Sequence, residues 1–353
     1  MGRELLRFAA AEGLPAPAVL PSPEGARGRL LVTVDAAEPD AVALCARLGG
    51  VHHILRPLDR FTLTPDGGLA QIAARAELLR VPELEVDGLP TFRATSERTG
   101  THPFTSEDVQ RAVGGAVHRN HRCGVKMKGF DVELRADVRG DRCNIGVALT
   151  RGSLARRVDR PFRPRISLGA QVAWALLELT RPPELPAAVG VVDPFCGSGG
   201  LLIEAGRRWP GASLFGSDTH PACAAGALEN LQHLGLGDRA RTQEGDARRA
   251  DLLWAGAPVD TWVSNLPFGL RLGKRIHFYW MFRDALAAGA RLLPPGGRAG
   301  LLVGHHKELR AALADGGLFR PLHIRFLEMG GAWPCAFVLE RLDTPAPPRT
   351  DEP

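Results

Sequence analysis

Apolar and polar residues alternate along residues 30–150 with two distinct periods. A period of two, typical of half-buried strands, recurs in six stretches, and the 3.6-residue period of amphipathic helices recurs in three. The strand-like stretches are 30–34, 51–56, 60–64, 90–95, 131–138 and 143–149, and the helix-like stretches are 38–48, 68–80 and 106–118. The pattern predicts a small α+β region.

After residue 186 the pattern changes. Short apolar strands alternate there with helices, which is typical of a parallel, doubly wound sheet. The strands are predicted at 189–192, 213–216, 260–263 and 298–303. Two later apolar runs, 323–326 and 335–339, predict an antiparallel hairpin at the sheet edge. The second region is therefore expected to be a Rossmann-like α/β domain.

Prolines and basic residues divide the chain further. Four prolines between residues 15 and 23 exclude a continuous helix there, so residues 1–29 are expected to be flexible or loosely packed. Residues 151–186 are interpreted as a basic linker with a helix over 167–179, and residues 344–353 as a disordered tail. The predicted folded regions are 30–150 and 187–343.

Positive charge is concentrated in one part of the chain. The net charge of +5 permits nucleic-acid binding without requiring it. Between Thr91 and Arg165, 16 Lys and Arg accompany 8 Asp and Glu, a local net charge of +8 that leaves −3 for the remainder. Such residues neutralise phosphates without reading base sequence, although a solvated arginine-rich surface is the alternative. The candidate RNA-binding residues are Arg111, Arg119, Arg122, Lys126, Lys128, Arg156, Arg157, Arg160, Arg271, Lys274 and Arg275.

The cysteines and the chain ends exclude several classes of protein. The six cysteines contain no C-x-x-C pair and stand at no zinc-ligand spacing to the histidines, so neither a disulfide framework nor a metal site is predicted. The first residues do not form a cleavable apolar leader, and no run approaches the roughly 20 apolar residues of a membrane span. We expect a cytoplasmic protein with no membrane partner.

A glycine-rich turn follows the first strand of the second region. Residues 193–200 read Asp-Pro-Phe-Cys-Gly-Ser-Gly-Gly, and an apolar helix follows at once. Glycines adopt positive φ and let the backbone pass close to a bound nucleoside, while a carboxylate leaving the strand can accept hydrogen bonds from a cofactor ammonium group. The candidate cofactor residues here are Asp193, Pro194, Cys196, Gly197 and Gly199.

An acidic residue follows the predicted strand 213–216, and another closes a third strand that precedes the fourth one, at 260–263. Asp218 stands where nucleotide-binding folds place a carboxylate on ribose hydroxyls, and Asp246 stands where an adenine amino group would be met. Any α/β protein has glycine-rich turns and strand-end aspartates, but three acids in succession favour a nucleoside cofactor. A dinucleotide is the rival; however, Leu202 occupies the position of the third glycine of G-x-G-x-x-G. A methyl donor is therefore favoured over NAD.

The stretch Asn265-Leu266-Pro267-Phe268 follows the fourth strand. A base amino group is a poor nucleophile because its lone pair is delocalised into the ring, so an enzyme must orient it. The Asn265 side-chain oxygen and the Leu266 carbonyl can each accept one N–H. Pro267 favours an extended backbone at Leu266, and Phe268 offers a stacking face. Alone, the stretch fits an ordinary strand-ending turn; after a cofactor turn it predicts catalysis, with Asn265 also bordering the cofactor.

These motifs resemble those of the THUMP-domain class I S-adenosylmethionine (SAM)-dependent RNA methyltransferases. Asp193–Gly199 and Asn265–Gly269 match the family strings D-P-x-C-G-[ST]-G and [DN]-[LP]-P-[FY]-G, with leucine at the usual first proline. In the first half, Thr91-Phe92-Arg93 and His102-Pro103-Phe104-Thr105-Ser106 resemble the THUMP segment. The resemblance covers most of the chain and keeps the family's order of modules.

The resemblance implies a ferredoxin-like and THUMP region that holds tRNA, followed by a methyltransferase domain that uses SAM. The TrmN-like tRNA (guanine-N2)-methyltransferases are the most similar members, which implies methylation of a guanosine N2 at position 6 of the acceptor stem. The alternatives are another amino group, such as guanine N2 of rRNA or adenine N6, and a noncatalytic RNA-binding protein that keeps the fold. The sequence gives no indication of a helper subunit, although one is compatible with it.

Overall fold

The computed structural model describes residues 1–23, 28–88, 90–154, 158–164, 167–182, 184–268, 277–329 and 332–343. The chain divides into two compact units, an N-terminal unit of residues 1–154 and a C-terminal unit of residues 155–353. No helix in these described ranges is long and apolar enough to cross a membrane.

The N-terminal unit contains the predicted mixture of helices and strands. Its helices are α1 (Gly2–Ala11), α2 (Glu38–Ala46), α3 (Gly68–Glu77) and α4 (Ser106–His121). Its strands are β1 (Ala18–Pro21), β2 (Leu30–Thr33), β3 (Leu55–Thr62), β4 (Thr91–Thr99), β5 (Gly124–Val125), β6 (Val132–Arg139) and β7 (Arg142–Ala148). β1 and β2 form an antiparallel pair, and the other strands form one sheet of order β3-β7-β6-β4-β5.

The segment before residue 30 differs from the expectation of loose packing. α1 is amphipathic, and its Leu5 and Ala9 are fully buried together with Leu44 and Leu48. The helix ends at Ala11, before the first proline. The prolines therefore limit the length of the helix without preventing an apolar face from packing.

One strand, β3, replaces the two strands predicted at 51–56 and 60–64, and residues 51–54 lie outside it. Its pairing with β7 shifts register between Pro57 and Asp59. Because proline has no N–H to donate, an irregularity at this position allows the strand to continue. β4 runs beyond its predicted end because it pairs in parallel with β6 from Phe92 to Thr99.

The C-terminal unit is the predicted doubly wound domain. Its helices are α5 (Ala170–Thr180), α6 (Gly200–Arg208), α7 (Pro221–His233), α8 (Ala250–Leu253), α9 (Phe278–Leu292) and α10 (His306–Gly316). Its strands are β8 (Gly190–Asp193), β9 (Ser213–Asp218), β10 (Ala240–Glu244), β11 (Thr261–Asn265), β12 (Arg298–Val303), β13 (Phe319–Phe326) and β14 (Cys335–Arg341). The sheet order is β10-β9-β8-β11-β12-β14-β13.

The direction of the strands confirms the predicted edge hairpin. β8 to β12 are parallel, whereas β14 runs antiparallel to both β12 and β13. α5, assigned to the linker from the sequence, packs in this unit: the Thr180 side chain occupies the space that a Cβ at Gly300 of β12 would need. The helix is thus part of the domain and not a connection to it.

The strand order places a crevice at the middle of the sheet. β8 has β9 on one side and β11 on the other, so the chain reverses direction of winding at β8. In open parallel sheets, ligands bind outside the carboxyl ends of the strands at such a switch point. Asp193, Asp218 and Asn265 are the last residues of β8, β9 and β11. The topology therefore brings the predicted site residues to one edge.

Trp262 of β11 packs directly onto Gly289 of α9, where a Cβ would lie 2.4 Å from Cζ3 of the indole. We predict that Gly289→Ala lowers the free energy of unfolding by about 1–3 kcal/mol, since overpacking outweighs the better helix propensity of alanine. Gly316→Ala in α10 is the control, because its Cβ would meet only ordinary contacts. Denaturant unfolding followed by circular dichroism measures both; equal loss of stability in the two variants would contradict the packing argument.

Candidate cofactor and catalytic site

The turn from β8 into α6 contains two glycines in the left-handed region. Gly197 has φ +52° and Gly199 has φ +76°. A Cβ at Gly199 would lie 3.3 Å from Ala227 of α7, whereas a Cβ at Gly197 would project into open space. Gly199 therefore serves the packing of the helices, and Gly197 leaves the backbone open at the sheet edge.

The turn is fixed by Asp218 at the end of β9. Its Oδ2 accepts a hydrogen bond from the Gly197 amide at 3.0 Å, and its Oδ1 accepts one from the His220 amide at 3.0 Å. Each carboxylate oxygen has a further lone pair for a ligand. The sequence-predicted role of Asp218 as a ribose contact is compatible with this arrangement and stays a prediction.

Asn230 of α7 fixes the same turn from the other side. Its side chain is fully buried and donates to the carbonyls of Ser198 and Phe162, each at 2.9 Å, while it accepts from the Phe162 amide at 3.0 Å. Asn230 was not among the site residues predicted from the sequence. The sequence around it shows only a short amide side chain on the buried face of an apolar helix. Such a position does not indicate which groups the amide binds.

Asp193 is the most strongly perturbed acid of the site. Its side chain is 1% exposed, and its Oδ1 accepts hydrogen bonds from the Ser264 hydroxyl at 2.7 Å and from the Phe195 amide at 3.1 Å. The pKa of Asp193 is raised to about 7: burial is the largest cause and the nearby carboxylate of Asp218 adds to it, while the two hydrogen bonds act in the opposite direction. A cationic group bound beside Asp193 would restore the ionised form.

Asn265 presents a buried acceptor at the end of β11. Its Oδ1 has no hydrogen-bond partner among the described residues. The next residue, Leu266, is 3% exposed, and its amide donates to the Leu302 carbonyl at 2.9 Å. The strand therefore holds both predicted acceptor residues in place by backbone pairing and core packing.

Phe268 and Pro267 complete the predicted tetrapeptide, and both are half-buried. The Phe268 ring lies against Gly304, where a Cβ would be 3.2 Å from the ring. Gly304 follows β12, the strand that pairs with β11. Because this glycine has no side chain, the Phe268 ring can pack at the same edge of the sheet.

Asp246 follows β10 and is held by an arginine. Its carboxylate accepts hydrogen bonds from the Arg248 amide at 2.9 Å and from the Arg248 guanidinium at 2.6 Å. Burial acts to raise the pKa of Asp246, but the bonds from Arg248 outweigh it, so the pKa lies below its usual value. Asp246 is thus ionised and partnered, and its predicted contact with adenine stays a prediction.

Pro194 and Cys196, the other predicted cofactor residues of the turn, are both buried. Burial raises the pKa of the Cys196 thiol well above its usual range. Cys196 is therefore a neutral, apolar wall of the turn at physiological pH. Across the described part of the chain, no group of three or more His, Cys, Asp or Glu is arranged to hold a metal ion.

The predicted RNA-binding residues fall into distinct places. Arg111 and Arg119 are exposed on α4, where they pair with Asp108 at 2.8 Å and Glu77 at 3.6 Å. Three further cations are exposed around β5, namely Arg122, Lys126 and Lys128. Five more lie outside the described residues: Arg156, Arg157, Arg271, Lys274 and Arg275.

Arg160 lies beside the cofactor turn and is half-buried. Its guanidinium is 3.5 Å from the position of a Cβ at Gly200, the first residue of α6. Burial lowers the pKa of Arg160, and Arg163 adds to the effect. Arg160 is therefore less accessible to a phosphate than the linker composition suggests, and its role in RNA binding stays a prediction.

The residues present fit a cofactor that carries an ammonium group, a ribose and a purine. A buried carboxylate, a glycine turn with an open backbone face, and two further strand-end acids lie at the edge of one sheet. The orphaned acceptor of Asn265 adds a place for a substrate donor at the same edge.

Comparison with known proteins agrees with this geometry. A THUMP domain model matches residues 70–148, and the RMKL-like methyltransferase domain model matches residues 157–334. The tRNA (guanine(6)-N2)-methyltransferase of Thermus thermophilus is 39% identical over 82% of this chain and 84% of its own length. The mouse tRNA (guanine(6)-N(2))-methyltransferase THUMP3 is 30% identical over 71% of this chain, which spans about half (51%) of the mouse protein.

The crystal structure of TrmN from Thermus thermophilus has the same architecture. It superposes with a TM-score of 0.75 at 33% identity, covering 96% of each chain. A Clostridium difficile protein described as a possible methylase, at 16% identity and a TM-score of 0.71, shares the fold. The predicted fold, activity class and cofactor, SAM, are confirmed. The chain therefore belongs to the THUMP-domain family of class I, SAM-dependent methyltransferases.

Proposed function

We propose that this enzyme methylates the exocyclic N2 amino group of a guanosine in tRNA, at position 6 of the acceptor stem. The observation that carries the proposal is the buried Asn265 Oδ1, which no described residue donates to. A buried acceptor without a partner is destabilising, so its persistence points to a ligand that donates to it. The names of the Thermus and mouse relatives support the choice of base and RNA.

Asn265 and Leu266 would orient the amino group for reaction. The guanine N2 lone pair is conjugated with the ring, and two acceptors that each take one N–H localise that lone pair on the nitrogen and direct it at the methyl group. The Leu266 amide donates to the Leu302 carbonyl, which ties this residue to β12. SAM, when bound, supplies an electrophilic methyl group. The methylated amino group is acidic enough to release its proton to water, so no strong base is required.

The burial of this acceptor also implies that the base leaves its helix. An amino group inside a stacked base pair cannot reach a buried side chain, and enzymes that act on such atoms extrude the nucleotide. Phe268, half-buried against Gly304, offers one face on which the extruded base stacks. The proposed substrate is therefore a flipped guanosine.

The cofactor would be held by the three strand-end acids. Asp193 would receive the ammonium group, Asp218 the ribose hydroxyls and Asp246 the adenine amino group. Gly197 keeps the backbone open where the cofactor passes. Support for the role of Asp193 comes from its burial, which raises its pKa to about 7 and makes it costly to keep as a purely structural residue.

The N-terminal unit would bind the tRNA backbone. Three exposed cations lie close together in sequence around β5, namely Arg122, Lys126 and Lys128. Phosphate contacts by such residues provide affinity and orientation without selecting a base. The selection of the modified nucleotide would then depend on where the bound RNA places it.

The activity is tested by incubating an unmodified tRNA transcript with the enzyme and SAM, followed by mass spectrometry of the nucleosides. N2-methylguanosine is expected, and it should be lost from a transcript in which an A–U pair replaces the pair at position 6.

Asn265→Ala should lower the methylation rate by about a hundredfold or more at unchanged SAM affinity, because an orienting contact is removed. Asn265→Asp keeps an oxygen acceptor and should retain more activity. N6-methyladenosine as the product, or a near-normal rate for Asn265→Ala, would refute the proposal.

Asp193 is expected to reduce stability at neutral pH. In the folded state its pKa is about 7, against 3.8 as the reference, so the folded protein keeps a proton that the unfolded chain loses between these values. Stability contributed by the protonated acid is therefore lost as pH rises from about 4 to 7. Asp193→Asn should raise the free energy of unfolding at pH 8 by at most about 4 kcal/mol, and much less at pH 4. A pH-independent difference between wild type and variant would argue against this account.

Reversal of the exposed cations Arg122, Lys126 and Lys128 to Glu should weaken tRNA binding. The slope of log affinity against log salt concentration should fall by roughly 0.7–0.9 for each lost phosphate contact. Arg241→Glu, a reversal at an exposed arginine of β10, is the control for a general effect of charge. Filter binding at several salt concentrations provides the slopes, and SAM affinity should not change. Parallel slopes for wild type and the triple variant would move the docking surface elsewhere.

A further inference from the structure

Ser264 precedes the catalytic stretch and is fully buried on β11. Its hydroxyl takes part in two hydrogen bonds: it donates to Asp193 Oδ1 at 2.7 Å and accepts from the Trp262 indole N–H at 2.9 Å. A serine hydroxyl has one proton to donate. Because the indole N–H can only donate, the proton of Ser264 is committed to Asp193.

Trp262 is itself held in one orientation. It is 2% exposed, it lies on the same face of β11 as Ser264, and its ring occupies the space above Gly289 of α9. Phe319 contacts it at 6.4 Å between ring centroids with a 65° interplanar angle. The indole therefore cannot turn away from Ser264 without disturbing the core.

The two oxygens of Asp193 consequently have different surroundings. Oδ1 receives Ser264 and the Phe195 amide. Within the described part of the chain, no group donates a hydrogen bond to Oδ2. This oxygen is not among the side-chain atoms that are both buried and unpartnered, so it is open to a ligand. One oxygen is thus tied to the protein and the other remains for a ligand.

From this geometry we infer that Ser264, held by Trp262, is a positioning residue for cofactor binding: it orients the Asp193 carboxylate and favours its charged form. The inference rests on the proposed assignment of Asp193 to the cofactor ammonium group. It gives the strand that carries Asn265 a second purpose, because the residue before the substrate acceptor also prepares the cofactor carboxylate.

Among the described residues, the titratable groups that face Asp193 are Asp218 from the end of β9 and Cys196 from the turn. Asp218 disfavours the charged form of Asp193, so the donor Ser264 works against both this carboxylate and burial. Loss of the hydroxyl should therefore raise the pKa of Asp193 above about 7. The consequence is an affinity loss that depends on pH.

The test is calorimetric titration of the full chain with S-adenosylhomocysteine, a stable probe that carries the same ammonium group, between pH 6 and 8.5. For Ser264→Ala, the ratio of its dissociation constant to that of wild type should be about tenfold at pH 6 and fall below about twofold at pH 8.5, since a hydrogen bond to a charged group shifts a pKa by roughly one unit. Taking the ratio at each pH cancels the titration of the probe.

Ser217→Ala is a matched control. Ser217 is likewise fully buried, one residue before the end of the neighbouring strand β9, but its hydroxyl has no hydrogen-bond partner among the described residues. Its affinity should equal that of wild type at every pH. Ser264→Thr keeps the hydroxyl and should restore most of the affinity, and Trp262→Phe, which lacks the indole donor, should fall between wild type and Ser264→Ala.

Asp193→Asn separates this inference from the assignment on which it rests. If Asp193→Asn binds the probe as wild type does, the assignment of Asp193 fails. If Asp193→Asn binds weakly but Ser264→Ala binds normally, or loses the same factor at every pH, the positioning role of Ser264 is overturned. A pH-dependent loss in Ser264→Ala together with normal binding in Ser217→Ala supports it, whichever base the enzyme modifies.

Discussion

A carboxylate buried at the junction of two strands constrains much of the C-terminal unit. Asp193 is almost inaccessible to water, and burial disfavours its charge. The surrounding structure offsets this with directed donors, a backbone amide of the turn and a serine of β11, and the serine is in turn held by an indole. The indole needs the open space above Gly289. Burying one ionisable group thus constrains which side chains fit at several positions, the farthest of them on a neighbouring helix. Preorganised polar sites generally require such supporting residues.

The glycine turn shows the same principle with backbone groups. Asp218 fixes one amide of the turn and Asn230 fixes one carbonyl, so two different elements, β9 and α7, determine its shape. Asn230 also binds both backbone groups of Phe162, whose ring packs where Gly226 has no side chain. The segment before α5 is thereby attached to the turn. A ligand meets a loop whose conformational entropy has already been lost, which favours affinity.

The proposed catalytic edge would recognise an amino group more than a particular base. Two acceptors, the side chain of Asn265 and the carbonyl of Leu266, suit any exocyclic amino group with two N–H bonds. The stacking face of Phe268 is equally tolerant. On this proposal, selectivity for one guanosine would arise from how the RNA is held. Phosphate-binding cations supply position without sequence, which makes a basic RNA-binding module a natural companion to a base-tolerant catalytic edge.

Local rules let the sequence determine the fold class, the order of the two regions and the strand ends that carry Asp193, Asp218 and Asn265, because strand periodicity and glycine-rich turns are properties of neighbouring residues. The tertiary structure decided what distant residues do for one another. Ser264 and Asp193 are 71 positions apart, and Asn230 and Phe162 are 68 apart. The sequence marks such residues only as polar positions in buried elements. The same holds for α1, whose apolar face became visible as a core only against α2, and for Arg160, whose charge predicted a surface that packing against α6 partly covers. The sequence shows which residues are polar, but the hydrogen-bond partner of a polar residue is decided only when strands and helices pack together.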